Sequence, residues 1–270
     1  MSISLHGKIL ASRVYPEFFP VQKTDAVLHA GCGEGAQVLA YIQYQRTRNT
    51  PPPSFAKGYG MAMQTSPRRG GDKEGKITCC DVQELRVQTT LSAAQRASIK
   101  NVEGMVADLE SLPFPDASFD KIVAVDIIQH VKHPEKVFAE FRRVLKPSGE
   151  LLITFPALQH YWITKISRWK RKNIHTNHSS TQARMHSGTS FWSPDAFNHN
   201  LSLSEWLRIG ASSGLKLIRS HATTLWPPLH RYGIPRFWFS NEIIHRVDWF
   251  FGGWPGLKKW GQAIMMIYRK

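Results

Sequence analysis

Cysteine is scarce in this chain: three in 270 residues, at Cys32, Cys79 and Cys80. Two are adjacent and none stands in a Cys/His ligand spacing, so neither a disulfide framework nor a dedicated metal motif is expected. The twelve histidines are scattered along the chain, and no metal is assigned to them. Long apolar runs are missing too, and nothing approaches the roughly 18 consecutive apolar residues that a membrane span requires. The stretch Met1–Lys8 builds no apolar core, so no signal peptide is expected and the cytoplasm is the default compartment. Acids are outnumbered, 20 Asp and Glu against 35 Lys and Arg, for a net charge of +15. The shortfall is local. From Pro156 onward 16 Lys and Arg face only Asp195, Glu205, Glu242 and Asp248, and all nine tryptophans lie in the same half.

What is present begins at Val27-Leu28-His29-Ala30-Gly31-Cys32-Gly33-Glu34-Gly35. An apolar run meets glycines at three alternate positions, and the helix-forming stretch Ala36–Ile42 follows. A buried strand turning sharply into a helix has this pattern. Glycine at the turn lets the chain take conformations closed to other residues and lets a ligand approach the main chain. The helix start adds free N–H groups and a positive dipole end, which suit a polar or anionic ligand group. Gly31-x-Gly33-x-x-Ala36 fits two ligand classes. As a dinucleotide fingerprint it calls for an acid about 20 residues on, where this chain has Pro51-Pro52-Pro53-Ser54. The first acid closing a strand-like run is Asp81, in Ile77-Thr78-Cys79-Cys80-Asp81.

Further along, Lys121–Val125 and Leu151–Phe155 are short, nearly all-apolar, β-branched runs, as fully buried parallel strands should be. Between them Val137, Phe138, Phe141 and Val144 recur at helical spacing over His133–Leu145, and Pro147 with Gly149 forms the turn that ends the helix. Leu215–Arg219 and Ala263–Ile267 read as the last two strands. Strands alternating with helices make an α/β protein with a parallel sheet, whose ligands bind past the carboxyl ends of the strands. The positions to watch are therefore 29–35, 81–83, 108–109 and 126–130. The chain is long enough for one α/β domain over 1–270. Residues 45–76, rich in proline and glycine, read as a surface loop insertion, and 157–200 and 226–259 as insertions forming a lid on the acceptor side.

Three motifs decide between the readings of the glycine loop. Ala107-Asp108-Leu109-Glu110-Ser111-Leu112-Pro113-Phe114-Pro115-Asp116-Ala117-Ser118-Phe119-Asp120 is followed by Val125-Asp126-Ile127-Ile128-Gln129-His130-Val131. Arg143-Val144-Leu145-Lys146-Pro147-Ser148-Gly149-Glu150-Leu151-Leu152-Ile153 comes next. Together with the glycine loop these resemble the class I S-adenosylmethionine-dependent methyltransferases of the methyltransferase type 11 group. The resemblance covers roughly residues 25–157, with an echo at 191–219. It implies a Rossmann-like fold, a mostly parallel seven-stranded sheet with helices on both faces, and S-adenosyl-L-methionine as cofactor.

The resemblance also implies roles. His29, Gly31, Cys32, Gly33 and Gly35 line the methionine end of the cofactor. Asp81, with Val82 beside it, accepts the ribose hydroxyls. Asp108 accepts from the adenine amino group and Leu109 packs nearby, although Asp108 also reads as a helix N-cap. Asp126 and Ile127 lie between the methionine portion and the acceptor, whereas Phe119-Asp120 is structural. His29 departs from the pattern, which has Asp or Glu two residues before the first glycine. A neutral imidazole brings no full negative charge. Losing one charge-assisted bond costs about 1.5–3 kcal/mol of affinity, so weaker or pH-dependent cofactor binding is expected. His130 is the best candidate for a base that takes the acceptor's proton, with His160 and His186 behind it.

The aromatic, basic second half admits three readings. One is a lid over an apolar acceptor pocket, and another is contact with an anionic membrane surface, where Trp with Lys and Arg suits the headgroup boundary. The third is nucleic-acid binding. Lid plus membrane contact is favoured over nucleic acid, because the aromatics are mixed with Ile, Leu, Phe and Met. The expected reaction is methyl transfer to an apolar or aromatic small molecule or lipid-like acceptor. The alternatives are a catalytically impaired binding protein and an RNA-directed methyltransferase.

Overall fold

The computed structural model describes residues 18–33, 39, 74–157, 199, 201–223, 247, 249–261 and 263–270. Gly35, the predicted helix over 36–42 (Leu39 apart), His160, His186 and most of the three insertions lie outside the described residues.

Strand β1 (Val27–Ala30) is buried at all four positions and β2 (Ile77–Asp81) at all five. Such continuous burial belongs to interior strands of a parallel sheet covered on both faces. Helix α1 (Glu84–Arg96) follows and turns Val87, Thr90 and Ala94 inward. Next come β3 (Val102–Val106), β4 (Phe119–Val125) and helix α2 (Pro134–Val144). Helix α2 starts on Pro134, whose missing N–H costs nothing in a first turn, and it buries Val137, Phe138, Phe141 and Val144, the residues whose spacing predicts it.

Strand β5 (Leu145–Pro156) leaves α2 without an intervening loop. Pro147 and Gly149, expected to close the helix, instead shape a wide irregularity inside the strand. Pairing with β4 jumps from Phe119↔Leu145 to Lys121↔Glu150, and Ser148 takes a positive φ of 62° in between. Helix α3 (Leu203–Ser212) opens on a capping box, with Ser202 and Glu205 each bonding the other's backbone N–H. Strands β6 (Lys216–Thr223) and β7 (Ala263–Arg269) complete the sheet.

The strand order is β3-β2-β1-β4-β5-β7-β6. Only β7 runs against its neighbours, antiparallel to both β5 and β6. On one face of the sheet Leu28, Ala30, Ile122, Ala124, Leu151 and Ile153 pack under α2 and α3. Trp206 of α3 lies 5.1 Å from Phe155, ring centre to ring centre. On the other face Val27, Cys79, Val123 and Leu152 pack with Val87 and Ala94 of α1 and with Phe18 and Phe19. Strand order reverses between β1 and β4, and at such a switch point an open α/β sheet leaves a crevice beyond its carboxyl ends.

Candidate active site

The chain leaves β1 into that crevice. Gly31 and Gly33 both have positive φ, 65° and 51°, and the Cys32 N–H donates to the Cys80 carbonyl at 2.8 Å. A Cβ on Gly31 would sit 2.3 Å from Cγ1 of Ile127, so the loop and the end of β4 approach as closely as glycine allows. A Cβ on Gly33 would meet no described atom within 4 Å. Among the described residues that side of the loop is open, as a ligand-facing main chain should be. Gly31→Ala combines left-handed strain of about 1–2 kcal/mol with overpacking of about 1–3 kcal/mol. Urea unfolding should show the loss. The double variant Gly31→Ala/Ile127→Ala should recover the overpacking share, whereas strictly additive losses would show that the contact does not limit the loop.

Two side chains brace the loop from opposite ends. The Asp81 carboxylate, 3% exposed, accepts from the Gly33 N–H through Oδ2 at 3.1 Å and from the Gln83 N–H through Oδ1 at 3.1 Å. Nη1 of Arg86 stands 3.7 Å from Oδ2. Thr90, fully buried on α1, donates its hydroxyl to the Gly33 carbonyl at 3.1 Å. Asp81 therefore has a structural duty beyond the ribose contact that the resemblance implies. A carboxylate offers about four lone-pair sites, so acceptor capacity remains for hydroxyl donors. Val82, next in the chain, is 61% exposed, free for an apolar contact at the end of β2.

Past β3, Asp108 is exposed and Leu109 is buried. Asp108 does not cap a helix. Its Oδ1 accepts from the Glu110 N–H at 2.9 Å in a tight turn, which leaves the carboxylate facing outward. The turn is locked from behind: Glu110 takes the His133 N–H at 2.8 Å and His133 Nδ1 at 2.7 Å, at the start of α2. These contacts hold the Glu110 carboxyl below its ordinary range against the opposing effect of desolvation, the largest single influence.

Past β4, Asp126 carries a positive φ of 51°, a strained conformation for a non-glycine residue. Thr154 of β5 fixes it: the Asp126 N–H donates to Thr154 Oγ1 at 3.0 Å, and that hydroxyl donates to Asp126 Oδ1 at 2.9 Å. Asp126 is open to solvent yet crowded by protein, as on a concave floor. The crowding raises its carboxyl above the usual range, while Thr154 and nearby His130 oppose the shift. His130 ends a short 3-10 turn, Ile128–His130, and its Nε2 lies 3.2 Å from the Gln129 side-chain nitrogen. That amide also donates to the Asp126 carbonyl at 3.0 Å. Oε1 of Gln129, on a residue only 5% exposed, has no partner among the described residues. Asp120, expected to be structural, accepts from the Ala26 N–H at 2.9 Å and from Lys146 Nζ at 2.8 Å.

His29 is a core residue. Strand alternation puts it on the Val27 face, 3% exposed, with Nδ1 3.9 Å from Cys79 Sγ. Burial lowers its pKa to about 3 and drives the Cys79 thiol well above its ordinary value, so both are neutral. Burial also holds Cys32 near 11 and Cys80 near 12. The pH-dependent binding expected of His29 therefore has no titration behind it near neutrality.

The sheet thus gathers the glycine loop, Asp81 with Val82, Asp108 with Leu109, and Asp126 with Ile127 and His130 at the carboxyl ends of four consecutive neighbours. Gln129, within the stretch 126–130 expected from the sequence, supports them, as do Thr90, Arg86 and Thr154, which were not singled out from the sequence. Thr90 and Thr154 did carry a signal, each being a lone hydroxyl inside an otherwise apolar inward stripe.

The profile of the family described as "Methyltransferase domain" matches residues 55–153. Over that stretch, well under half of its length, the chain is similar to this family. Its relatives include the ubiquinone/menaquinone biosynthesis C-methyltransferase UbiE of Bordetella avium, 46% identical over 48 residues, which is 18% of this chain and 19% of that protein. UbiE of Paraburkholderia phytofirmans is 31% identical over 101 residues, 37% of this chain and 40% of that protein. The chain thus matches two fifths or less of these relatives' lengths. Among solved structures, an S-adenosylmethionine-dependent methyltransferase from Aquifex aeolicus aligns with a TM-score of 0.51 at 17% identity, over 97% of this chain and 92% of that one. The cyclase SpnF aligns with a TM-score of 0.56 at 16% identity, over 96% and 79%. These structures share the fold. The cofactor of the methyltransferase family is S-adenosyl-L-methionine, and the open Gly33 face, the carboxylates of Asp81 and Asp108 and the exposed Val82 fit its amino-acid, ribose and adenine portions.

Proposed function

We propose that this chain transfers a methyl group from S-adenosylmethionine to an apolar, aromatic small molecule, with a quinol-like ring as the leading acceptor class. The observation that carries the reading is the alignment of glycine loop and three carboxylates along one sheet edge, in the order that adenosine and an amino-acid tail require. The UbiE relatives, named for quinone biosynthesis, favour a ring acceptor. A bound sulfonium supplies a methyl group that is already activated. The protein's own task is then to align the acceptor and exclude water. Asp126 and Ile127 form the floor at the crevice. His130, beside Asp126 at the crevice, takes the proton of an acceptor hydroxyl as the general base.

Titration of the full chain with S-adenosylmethionine and S-adenosylhomocysteine is the test. Binding on the order of micromolar should be the same at pH 6 and pH 8, since His29 is neutral at both. Labelled methyl transfer should then favour quinols over RNA. His130→Gln should lower kcat by about a hundredfold with KM little changed. A folded protein that binds neither compound would sink the reading and leave a binding protein on a methyltransferase fold.

A further inference from the structure

The segment entering β7 carries an exposed aromatic surface. Phe250 is 52% exposed, Trp254 48% and Trp260 45%. Phe250, Phe251 and Trp254 pack edge to face on one another, with ring centres 5.1–5.7 Å apart. Lys259 Nζ lies 5.8 Å from the Trp260 ring centre, and Lys258 reaches Ser220 Oγ at 2.9 Å. No carboxylate occurs among the described residues from 249 to 261.

The patch is anchored. Trp249 stacks on His221 of β6 at 3.6 Å and meets Phe18 at 5.7 Å. A Cβ on Gly252 would fall 2.3 Å from the Ala222 carbonyl, so the backbone lies flat against β6. Ala263 pairs with Pro156 at the carboxyl end of β5 and with Thr223 at that of β6. The patch therefore enters the sheet on the edge that carries the glycine loop.

We propose that the face of Phe250, Trp254 and Trp260, with Lys258 and Lys259, docks this protein on an anionic lipid bilayer. Aromatic rings interleaved with lysines match the boundary between acyl chains and negative headgroups. Among the described residues no helix is long and apolar enough to cross a membrane, so the mode is attachment to the surface. A single-stranded nucleic acid would need open ring faces for its bases. Here Phe250, Phe251 and Trp254 pack edge to face at 63–78°, so their rings do not line up as parallel platforms for successive bases. Pre-packed rings on a fixed backbone also lose little freedom on docking. The proposal goes beyond the methyl-transfer reading and stands without it.

The test is co-sedimentation of the full chain with vesicles of phosphatidylcholine alone or mixed with phosphatidylglycerol, at low and high salt. Binding should favour the mixed vesicles and weaken with salt. Phe250→Ser/Trp254→Ser should weaken it about tenfold or more, and Lys259→Glu about tenfold on mixed vesicles only. Far-UV circular dichroism and S-adenosylhomocysteine titration of each variant separate loss of docking from loss of fold, and keep this test apart from that of the methyl-transfer reading. Equal binding to both vesicle types, no binding to either, or indifference to the Phe250/Trp254 pair would overturn the proposal. So would displacement from mixed vesicles by single-stranded RNA with the same residue dependence.

Discussion

Lowering the pH from 6.5 to 5 is expected to destabilise this protein by roughly 3 kcal/mol through two histidines alone. Burial lowers His29 to about 3 and His221 to about 4, from 6.5. Each is therefore neutral when folded and takes up a proton when unfolded. The unfolded state binds more protons in this window, so stability is full above pH 6.5 and falls as pH drops, levelling only below the folded values. Folded carboxylates such as Glu150 and Glu140 are held below their ordinary value of 4.5. Their stabilisation is lost only below that value, whereas the raised Asp126 carboxyl acts in the opposite direction and offsets part of the histidine effect as the pH falls. A loss of this size is a large part of the 5–15 kcal/mol that holds a typical domain together. His221 is the sharper case. Its Nε2 is buried without a partner among the described residues, and Arg219 and Lys258 add to the penalty on its charged form. Urea unfolding across the pH range should show the slope nearly halved in His221→Leu. A flat profile between pH 6.5 and 5 would show that neither ring is held neutral.

The same burial explains what the sequence could and could not disclose. Strands β1, β2, β4 and β5 were legible because their centres face apolar layers on both sides, so hardly a polar residue interrupts them. Helix α2 was legible because only one stripe of it is inside. The reversal of β7 between β5 and β6 depends on pairing far along the chain, which local spacing does not record. Pro147 and Gly149 are ordinary turn residues, and only the skipped pairing with Phe119 and Lys121 makes them part of a strand. The site divides similarly. Asp81, Asp108 and Asp126 were legible because each follows a readable strand. Two of their contexts were not: Asp108 sits in a turn closed onto Glu110, and Asp126 holds strained backbone against Thr154. His29 looked like an altered ligand contact. Its neighbour Cys79 sits beside it only through the β1–β2 register.

The largest single-residue effect on the site is expected at Asp81. Asp81→Ala removes the acceptor of the Gly33 and Gln83 N–H groups and the carboxylate beside Arg86, whose side chain is 12% exposed. Two lost backbone bonds and a disrupted, largely buried ion pair together cost about 3–5 kcal/mol of stability. Of the two side chains that brace the glycine loop, only Thr90, on the Gly33 carbonyl, would then remain, beside the main-chain bond from Cys32 to Cys80. Cofactor affinity should fall further than stability explains. Two charge-assisted bonds to a ribose diol at about 1.5 kcal/mol each amount to more than a hundredfold. Asp81→Asn separates the two duties. Its amide oxygen still accepts from one N–H and keeps much of the loop, but its NH2 cannot accept from a hydroxyl. The Asn variant should therefore unfold much closer to the parent than the Ala variant while binding S-adenosylhomocysteine almost as poorly. Near-parental affinity in a folded Asn variant would place the ribose elsewhere and leave Asp81 as a brace of the loop.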